Sequence, residues 1–329
     1  MASDRVPCVK AIVVTTINPP TEGIKTLTGR GWDVYVVGDK YTPGDWDCDG
    51  TCFFPIDGLT EFDLEEHLPT SHYSRKNIGY LAAMHDGAEA IYETDDDHLL
   101  YDYALDELSE SLSARTPFEA GWLNVYDEFT DGFMWPRGFP LQEVNIPSPY
   151  VSTTTWSVNC PIQQFLVDGD PDVDAVYRMT RAGASTWNPG SSPLALGYGT
   201  FSPFNSQNTL WYPSAYPYMY LPSYVSFRVT DIWRSFIAHR CIAEDGDYVA
   251  FRSPNARQDR NPHDLLKDFE DEIPGYLLNA KIVDKLWSLD LRGMKPTERL
   301  LYCYARLAAI GAIKSQEIPL VDAWISDLP

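Results

Sequence analysis

Three consecutive aspartates at the end of a short β-type run constrain this chain more than any other feature. In Ala88-Glu-Ala-Ile-Tyr-Glu-Thr-Asp-Asp-Asp-His98, residues 89–94 have the β-branched and aromatic character of a strand, which ends in Asp95, Asp96 and Asp97. Along a strand, residues i and i+2 share a side, so Asp95 and Asp97 can converge on one point while Asp96 faces away. Oxygen ligands on a short support suit a hard divalent cation, Mn²⁺ or Mg²⁺, which keeps positions open for phosphate oxygens. The alternative for such a triplet in isolation is a solvated acidic turn.

The residues before it set the fold class. Lys10–Thr15, Trp32–Val37 and Thr51–Ile56 read as strands. Thr21 caps a helix that includes Ile24 and Leu27, and Ser74 caps a second through Met84, with Ile78, Leu81 and Met84 on its buried face. The β-α-β-β-α-β order predicts an α/β fold with a mostly parallel sheet. Ligands on such sheets sit outside the carboxyl ends of the strands, where Thr15, Asp39 and Asp95 fall. From 118 to 220 the chain is rich in Pro, Gly, Ser, Asn and aromatics, with short strands expected at 119–126 and 173–179. Asp172-Val-Asp174, a second Asp-x-Asp, precedes that strand and reads as a turn. A helix follows from about Val229 to Ala243, then a strand at 248–251. Helices are expected at His263–Ile273, Tyr276–Leu289 and Thr297–Ile313. The chain thus divides into a body, 1–255, and a helical extension, 256–329, packed on it.

Composition excludes several functions. With 47 acidic against 25 basic residues the formal charge is −22, so nucleic acid and anionic membrane surfaces are not expected partners. A nucleotide diphosphate would need a metal to bridge it to an acidic pocket. Aromatics make up 13 % of the chain, which suits a cleft for sugars or bases as well as dense packing. Cys48 and Cys52 could form half of a zinc site, but no second half appears; Cys241 and Cys303 read as core thiols. Neither a signal peptide nor an apolar run of membrane-spanning length is visible, so the cytoplasm is the expected compartment.

Three polar clusters could converge with the triplet. Ser74-Arg-Lys-Asn-Ile-Gly-Tyr80 opens a helix, where backbone N–H groups and Arg75 favour an anion. Arg228-Val-Thr-Asp-Ile-Trp-Arg234 sets Asp231 near a helix start, where it could be a plain dipole-facing carboxylate. Arg257-Gln-Asp-Arg-Asn-Pro-His263 offers cations and an imidazole. His239, mid-helix beside Arg240, reads as structural.

Together these patches resemble the STELLO-type glycosyltransferase-like proteins. The likeness rests on Arg75-Lys-Asn-Ile-Gly-Tyr80, Thr94-Asp-Asp-Asp97, Arg228–Arg234, Ile12-Val-Val-Thr-Thr-Ile-Asn18 and Gly31-Trp-Asp33. More distantly, residues 75–97 are similar to the reversibly glycosylated polypeptides, the UDP-arabinopyranose mutase group. The resemblance implies a GT-A fold, a UDP-sugar donor, a hydroxyl-bearing acceptor and a Mn²⁺ or Mg²⁺ ion on Asp95 and Asp97, with His263 as the late third ligand. It places the nucleotide against Thr15, Thr16, Asn18, Asp39, Arg75, Asn77, Asp95 and Asp96. Arg75 and the metal would neutralise the leaving diphosphate, and Asp231 would be the base if configuration inverts. The amides of Phe204-Asn-Ser-Gln-Asn-Thr209 suit sugar hydroxyls. A UDP-sugar mutase and a non-catalytic scaffold are the competing functions. Plant members carry a membrane anchor and sit in the Golgi; this chain shows no such segment.

Overall fold

The computed structural model describes residues 10–58, 60–181, 186–258 and 264–329. Thirteen strands and seven α-helices are described. The strands are β1 Ala11–Thr16, β2 Asp33–Gly38, β3 Thr51–Phe54, β4 Ile91–Thr94, β5 His98–Leu100, β6 Ser111–Ala114, β7 Gly121–Trp122, β8 Trp156–Asn159, β9 Ile162–Gly169, β10 Leu194–Leu196, β11 Thr200–Phe201, β12 Asn208–Trp211 and β13 Val249–Gln258. The helices are α1 Glu22–Leu27, α2 Lys76–His85, α3 Ala175–Thr180, α4 Thr230–Ala243, α5 Leu265–Trp287, α6 Pro296–Ala309 and α7 Glu317–Asp327.

Nine strands form one sheet in the order β10-β13-β9-β12-β4-β1-β2-β3, with β5 on β13. The near-continuous apolar run of β1 is what a strand covered on both faces requires, and Ala11–Val14 are fully buried. The half built from residues 10–94 is parallel, β3-β2-β1-β4, as its sequence order predicts. The expectation of a mostly parallel sheet fails beyond β4. There β12 runs antiparallel to both β4 and β9, and β13 pairs antiparallel with β10 and β5. Four pairings are parallel (β1–β2, β1–β4, β2–β3, β9–β13) and four antiparallel, so the sheet is mixed. The strand β13 follows helix α4 and runs parallel to β9, as a parallel pair requires a crossover, whereas β12 follows the short strands β10 and β11 rather than a helix and runs antiparallel.

Helix starts follow local chemistry. Thr21 does cap α1, accepting from the Ile24 amide at 3.2 Å. Before α2, the cap is the His72 ring, which accepts from the Ser74 amide, while the Ser74 hydroxyl meets Ser223. Residues 173–179 are not a strand: Asp174 accepts from the Tyr177 amide and opens α3. Within 119–126 only Gly121–Trp122 is extended, and a 3₁₀ turn follows at Val125–Glu128. The two helices expected across 263–289 are one, α5, with Pro274 inside it. Proline removes one ladder bond, and the buried face Asp268, Glu272, Gly275, Asn279, Ile282 and Leu286 outweighs that loss.

The expected boundary at residue 255 lies within β13, and one apolar cluster joins Val13 and Ile78 to Ile237, Val283 and Trp324. At the end of α7, the Asp327 carboxylate accepts from the amides of Asp63 and Leu64. A buried ion pair fixes α4 against the sheet. Arg234 reaches Glu93 of β4 at 2.7 and 2.9 Å, and Trp211 donates to the same carboxylate. Asp231 lies three residues earlier on the same helical face and is thereby carried to the carboxyl end of β4.

Helix α2 approaches the sheet through Gly79. A Cβ there would lie 2.6 Å from Val13 Cγ1 and 2.9 Å from Val37 Cγ2. Alanine gains about 1 kcal/mol in helix propensity, whereas overpacking costs about 1–3 kcal/mol. Gly79→Ala is therefore expected to lower stability by up to about 2 kcal/mol in urea unfolding; a stabilised variant would show that α2 can lift off β1 and β2.

Candidate functional site

A cleft of about 520 Å³ opens at the carboxyl ends of β1, β2 and β4. Thr15, Thr16, Asn18, Asp39, Arg75, Asp95, Asp96, Asp97 and Asp231 all line it, so the structure brings most of the expected residues together. Asn77 does not join them. Its amide nitrogen donates to the Leu221 carbonyl and its oxygen accepts from the Leu221 amide, so it pins a loop from inside the protein. The expectation for Asn77 is corrected accordingly. His263 lies outside the described residues. His239 is buried against the Leu196 carbonyl, and burial pushes its pKa down to about 4, which fits the structural reading.

The triplet is a turn between β4 and β5, not a continuation of the strand. Alternation is therefore not what orients the three carboxylates; each has its own holder. Asp95 Oδ1 accepts from the Tyr73 hydroxyl at 2.6 Å and from Lys76 Nζ at 3.3 Å. That ammonium is fully buried and also donates to the Thr94 and Ser206 carbonyls. Asp96 turns the other way and accepts from Thr16 Oγ1 at 2.5 Å and Asn18 Nδ2 at 3.0 Å. Asp97 accepts from Gln258 Nε2 at 2.9 Å, and its other oxygen lies 3.1 Å from His98 Nδ1. One ligand atom each from Asp95, Asp97 and His98 falls within a 4.8 Å group, the geometry of a shared cation site.

Helix α1 presses this turn from outside. Thr21 Oγ1 donates to the Asp96 carbonyl, and a Cβ at Gly23 would sit 2.6 Å from that oxygen and 2.8 Å from the His98 carbonyl. Burial raises the Asp96 pKa against the hydroxyl and amide that oppose it. Burial also acts to raise Asp97, but His98 and Gln258 outweigh it and hold that carboxyl below its usual range.

The Asp39 carboxylate is spent on backbone, accepting from Lys40, Ser71 and His72 amides at 2.6–3.0 Å and so tying the end of β2 to the loop before α2. Arg75 lies buried along the same wall, donating to the Gly38 carbonyl at 3.2 Å and meeting Glu65 at 3.5 Å.

On the opposite side stands Arg137. Its Nη atoms meet the Asp231 carboxylate at 2.8 and 3.0 Å, and its Nε meets Asp172 at 2.9 Å. Asp172 also accepts from Asn205 Nδ2 at 2.8 Å, so this residue is a buried part of the cleft floor rather than the expected turn. Burial alone would raise the Asp231 pKa; the Arg137 charge and hydrogen bonds outweigh it and hold the carboxyl below its ordinary range. Both Asp231 oxygens are thus engaged, an arrangement that weakens it as a proton acceptor.

Sequence reading missed Arg137, Lys76, Tyr73 and His98. Lys76 lies within the Ser74–Tyr80 cluster and His98 closes the Ala88–His98 segment, whereas Arg137 sits in a Pro- and Gly-rich loop with no local signal. The lining carries six carboxylates (Asp39, Asp95, Asp96, Asp97, Asp172, Asp231) against three guanidinium groups (Arg75, Arg137, Arg228). At the mouth, Ile17, Tyr41 and Phe227 are each more than half exposed.

Residues 228–328 match the family model of the STELLO glycosyltransferases. Two relatives from Arabidopsis thaliana, "Probable glycosyltransferase STELLO1" and "Probable glycosyltransferase STELLO2", are 32 % and 31 % identical over 97 % of this chain. The alignments cover 44 % of each relative, so the chain spans less than half their length. Among the described residues no helix is long and apolar enough to cross a membrane.

Proposed function

Because the chain carries the domain of the STELLO glycosyltransferases and is their relative over 97 % of its length, we propose that it is a metal-dependent glycosyltransferase acting on a nucleotide-sugar donor, a UDP-sugar. In this scheme the parallel half β3-β2-β1-β4 is the nucleotide-binding part of a GT-A-like fold, and a hydroxyl-bearing acceptor enters over the α4 side. The observation that carries the proposal is the Asp95–Asp97 turn at the end of β4, opening into a cleft with twice as many carboxylates as guanidinium groups.

Asp95, Asp97 and His98 have the donor set of a divalent-cation site. A Mn²⁺ or Mg²⁺ ion held there would supply charge neutralisation to the leaving diphosphate. The chain's own residues do the rest. Lys76 and Tyr73 fix Asp95, Gln258 fixes Asp97, and α1 keeps the turn closed. Arg75 lines the phosphate side, and Tyr41 with Ile17 offers apolar area to a base at the mouth. Asp231 can serve as the base only when an acceptor hydroxyl displaces Arg137 from one of its oxygens; otherwise it anchors that guanidinium.

The test is incubation with a panel of nucleotide sugars and Mn²⁺, following released nucleotide and the fate of the sugar. Mn²⁺-dependent release of UDP from one UDP-sugar is expected. A product that is the same UDP-sugar in another ring form would favour the mutase, and failure to bind any donor in Mn²⁺ would leave a scaffold.

A further inference from the structure

We propose that His98 is itself a ligand of the cation held by Asp95 and Asp97, and that its imidazole makes the site prefer Mn²⁺ or Co²⁺ over Mg²⁺ and Ca²⁺. The inference rests on the metal-dependent function proposed above and narrows it to a ligand set and an ion class.

Two independent observations point to the ring. The first is spacing. His98 Nδ1 lies 3.1 Å from Asp97 Oδ1, and atoms of Asp95, Asp97 and His98 fall within 4.8 Å of one another. Neighbouring ligands on an octahedral cation with bonds of about 2.1 Å stand about 3 Å apart. The second is burial without satisfaction. His98 is 1 % exposed, its Nε2 has no hydrogen-bond partner, and its Nδ1 has only the Asp97 carboxylate beside it. A buried polar group in that state costs about 1–3 kcal/mol and calls for a partner. A cation between the imidazole and the carboxylates would be that partner.

The backbone holds the ring in place. His98 pairs with Gln258 in the β5–β13 ladder, and its amide donates to the Asp95 carbonyl at 3.3 Å. Its own carbonyl is the one pressed by Gly23 of α1. The chemistry then sets selectivity. Mg²⁺ and Ca²⁺ are oxygen-seeking, whereas a neutral imidazole suits transition ions. A site of carboxylates alone would not make that distinction.

The experiment is calorimetric titration of Mn²⁺, Co²⁺ and Mg²⁺ into the wild type, His98→Ala and Asp97→Ala, with thermal melting to establish folding. His98→Ala is expected to weaken Mn²⁺ and Co²⁺ by about 10- to 100-fold and to change Mg²⁺ affinity less than about threefold. Asp97→Ala should lose all three ions. An equal loss of all three in His98→Ala would show that the ring merely positions Asp97, and unchanged affinities would remove it from the site; either result overturns the inference. Binding of no ion by the wild type would overturn the function proposed above as well. Should His98→Ala fail to fold, His98→Asn serves in its place. In the wild type, Mn²⁺ should broaden the His98 imidazole resonances beyond those of His239, and sharp His98 signals in saturating Mn²⁺ would refute coordination.

Discussion

Asp97→Ala is expected to abolish Mn²⁺-dependent UDP binding while leaving the protein folded. The loss should be about 100-fold or more in affinity, since a metal on a diphosphate supplies several kcal/mol. Asp97 occupies a turn, and its side chain keeps over a quarter of its surface exposed, so truncation creates little cavity. Its removal frees Gln258 and His98 but breaks no buried ion pair of the core. Retention of the fold can be followed by melting and the binding loss by calorimetry with and without EDTA. UDP affinity in the wild type that ignores EDTA would refute the metal assignment. The same experiment has a pH arm. Asp97 titrates below its usual range, so it remains an ionised ligand into moderately acidic solution. Divalent binding should nonetheless weaken as the pH falls, because protons compete with the metal for its imidazole and carboxylate ligands.

Legibility of this chain follows the locality of its interactions. The parallel half was readable because each strand there carries a β-branched run bounded by turn residues, and because Thr21 caps α1 through a side chain three residues away. The strand ends expected from the sequence carry Thr15, Asp39 and Asp95, and all three line the cleft. What escaped was non-local. The antiparallel entry of β12 depends on pairings such as Asn208↔Thr94, more than a hundred residues apart, and no local pattern encodes them. Asp172 looked like a turn aspartate because its partner Arg137 lies 35 residues upstream in an irregular loop. Asp174 misled in the opposite sense: a short β-branched stretch was read as a strand, whereas the aspartate's cap to Tyr177 makes it a helix start. Asn77 sat in a motif that otherwise marks the cleft, yet α2 turns it inward to the Leu221 backbone. His98 directly follows the triplet, and its burial, not its identity, is the informative property, which no local pattern encodes.

Asp231→Asn should be among the most destabilising single changes at the cleft. As a carboxylate facing a helix dipole, Asp231 would be worth about 0.3–1 kcal/mol. The structure instead gives it a two-pronged ion pair with Arg137, both side chains more than nine-tenths buried. Removing one partner of such a pair costs about 3–5 kcal/mol, because the remaining charge stays buried. Here Asp172 would still face Arg137, which places the expected loss at the lower end, about 3 kcal/mol in urea unfolding at pH 7. The sign with pH follows from the lowered pKa. A carboxyl depressed in the fold contributes stability above its unfolded pKa of about 3.9 and loses it as pH falls through the folded value. The gap between wild type and variant should therefore be constant above about pH 5 and close in stronger acid. A gap under about 1 kcal/mol at pH 7 would return Asp231 to the dipole role. Turnover will fall in either case, so the double variant decides its meaning. If Asp231 acts by anchoring Arg137, then Arg137→Met should already remove most of what Asp231→Asn removes, and the two losses will not add. If Asp231 is the base, Asp231→Asn should cost about 10²- to 10⁴-fold even in the Arg137→Met background, where the freed carboxylate is the better proton acceptor.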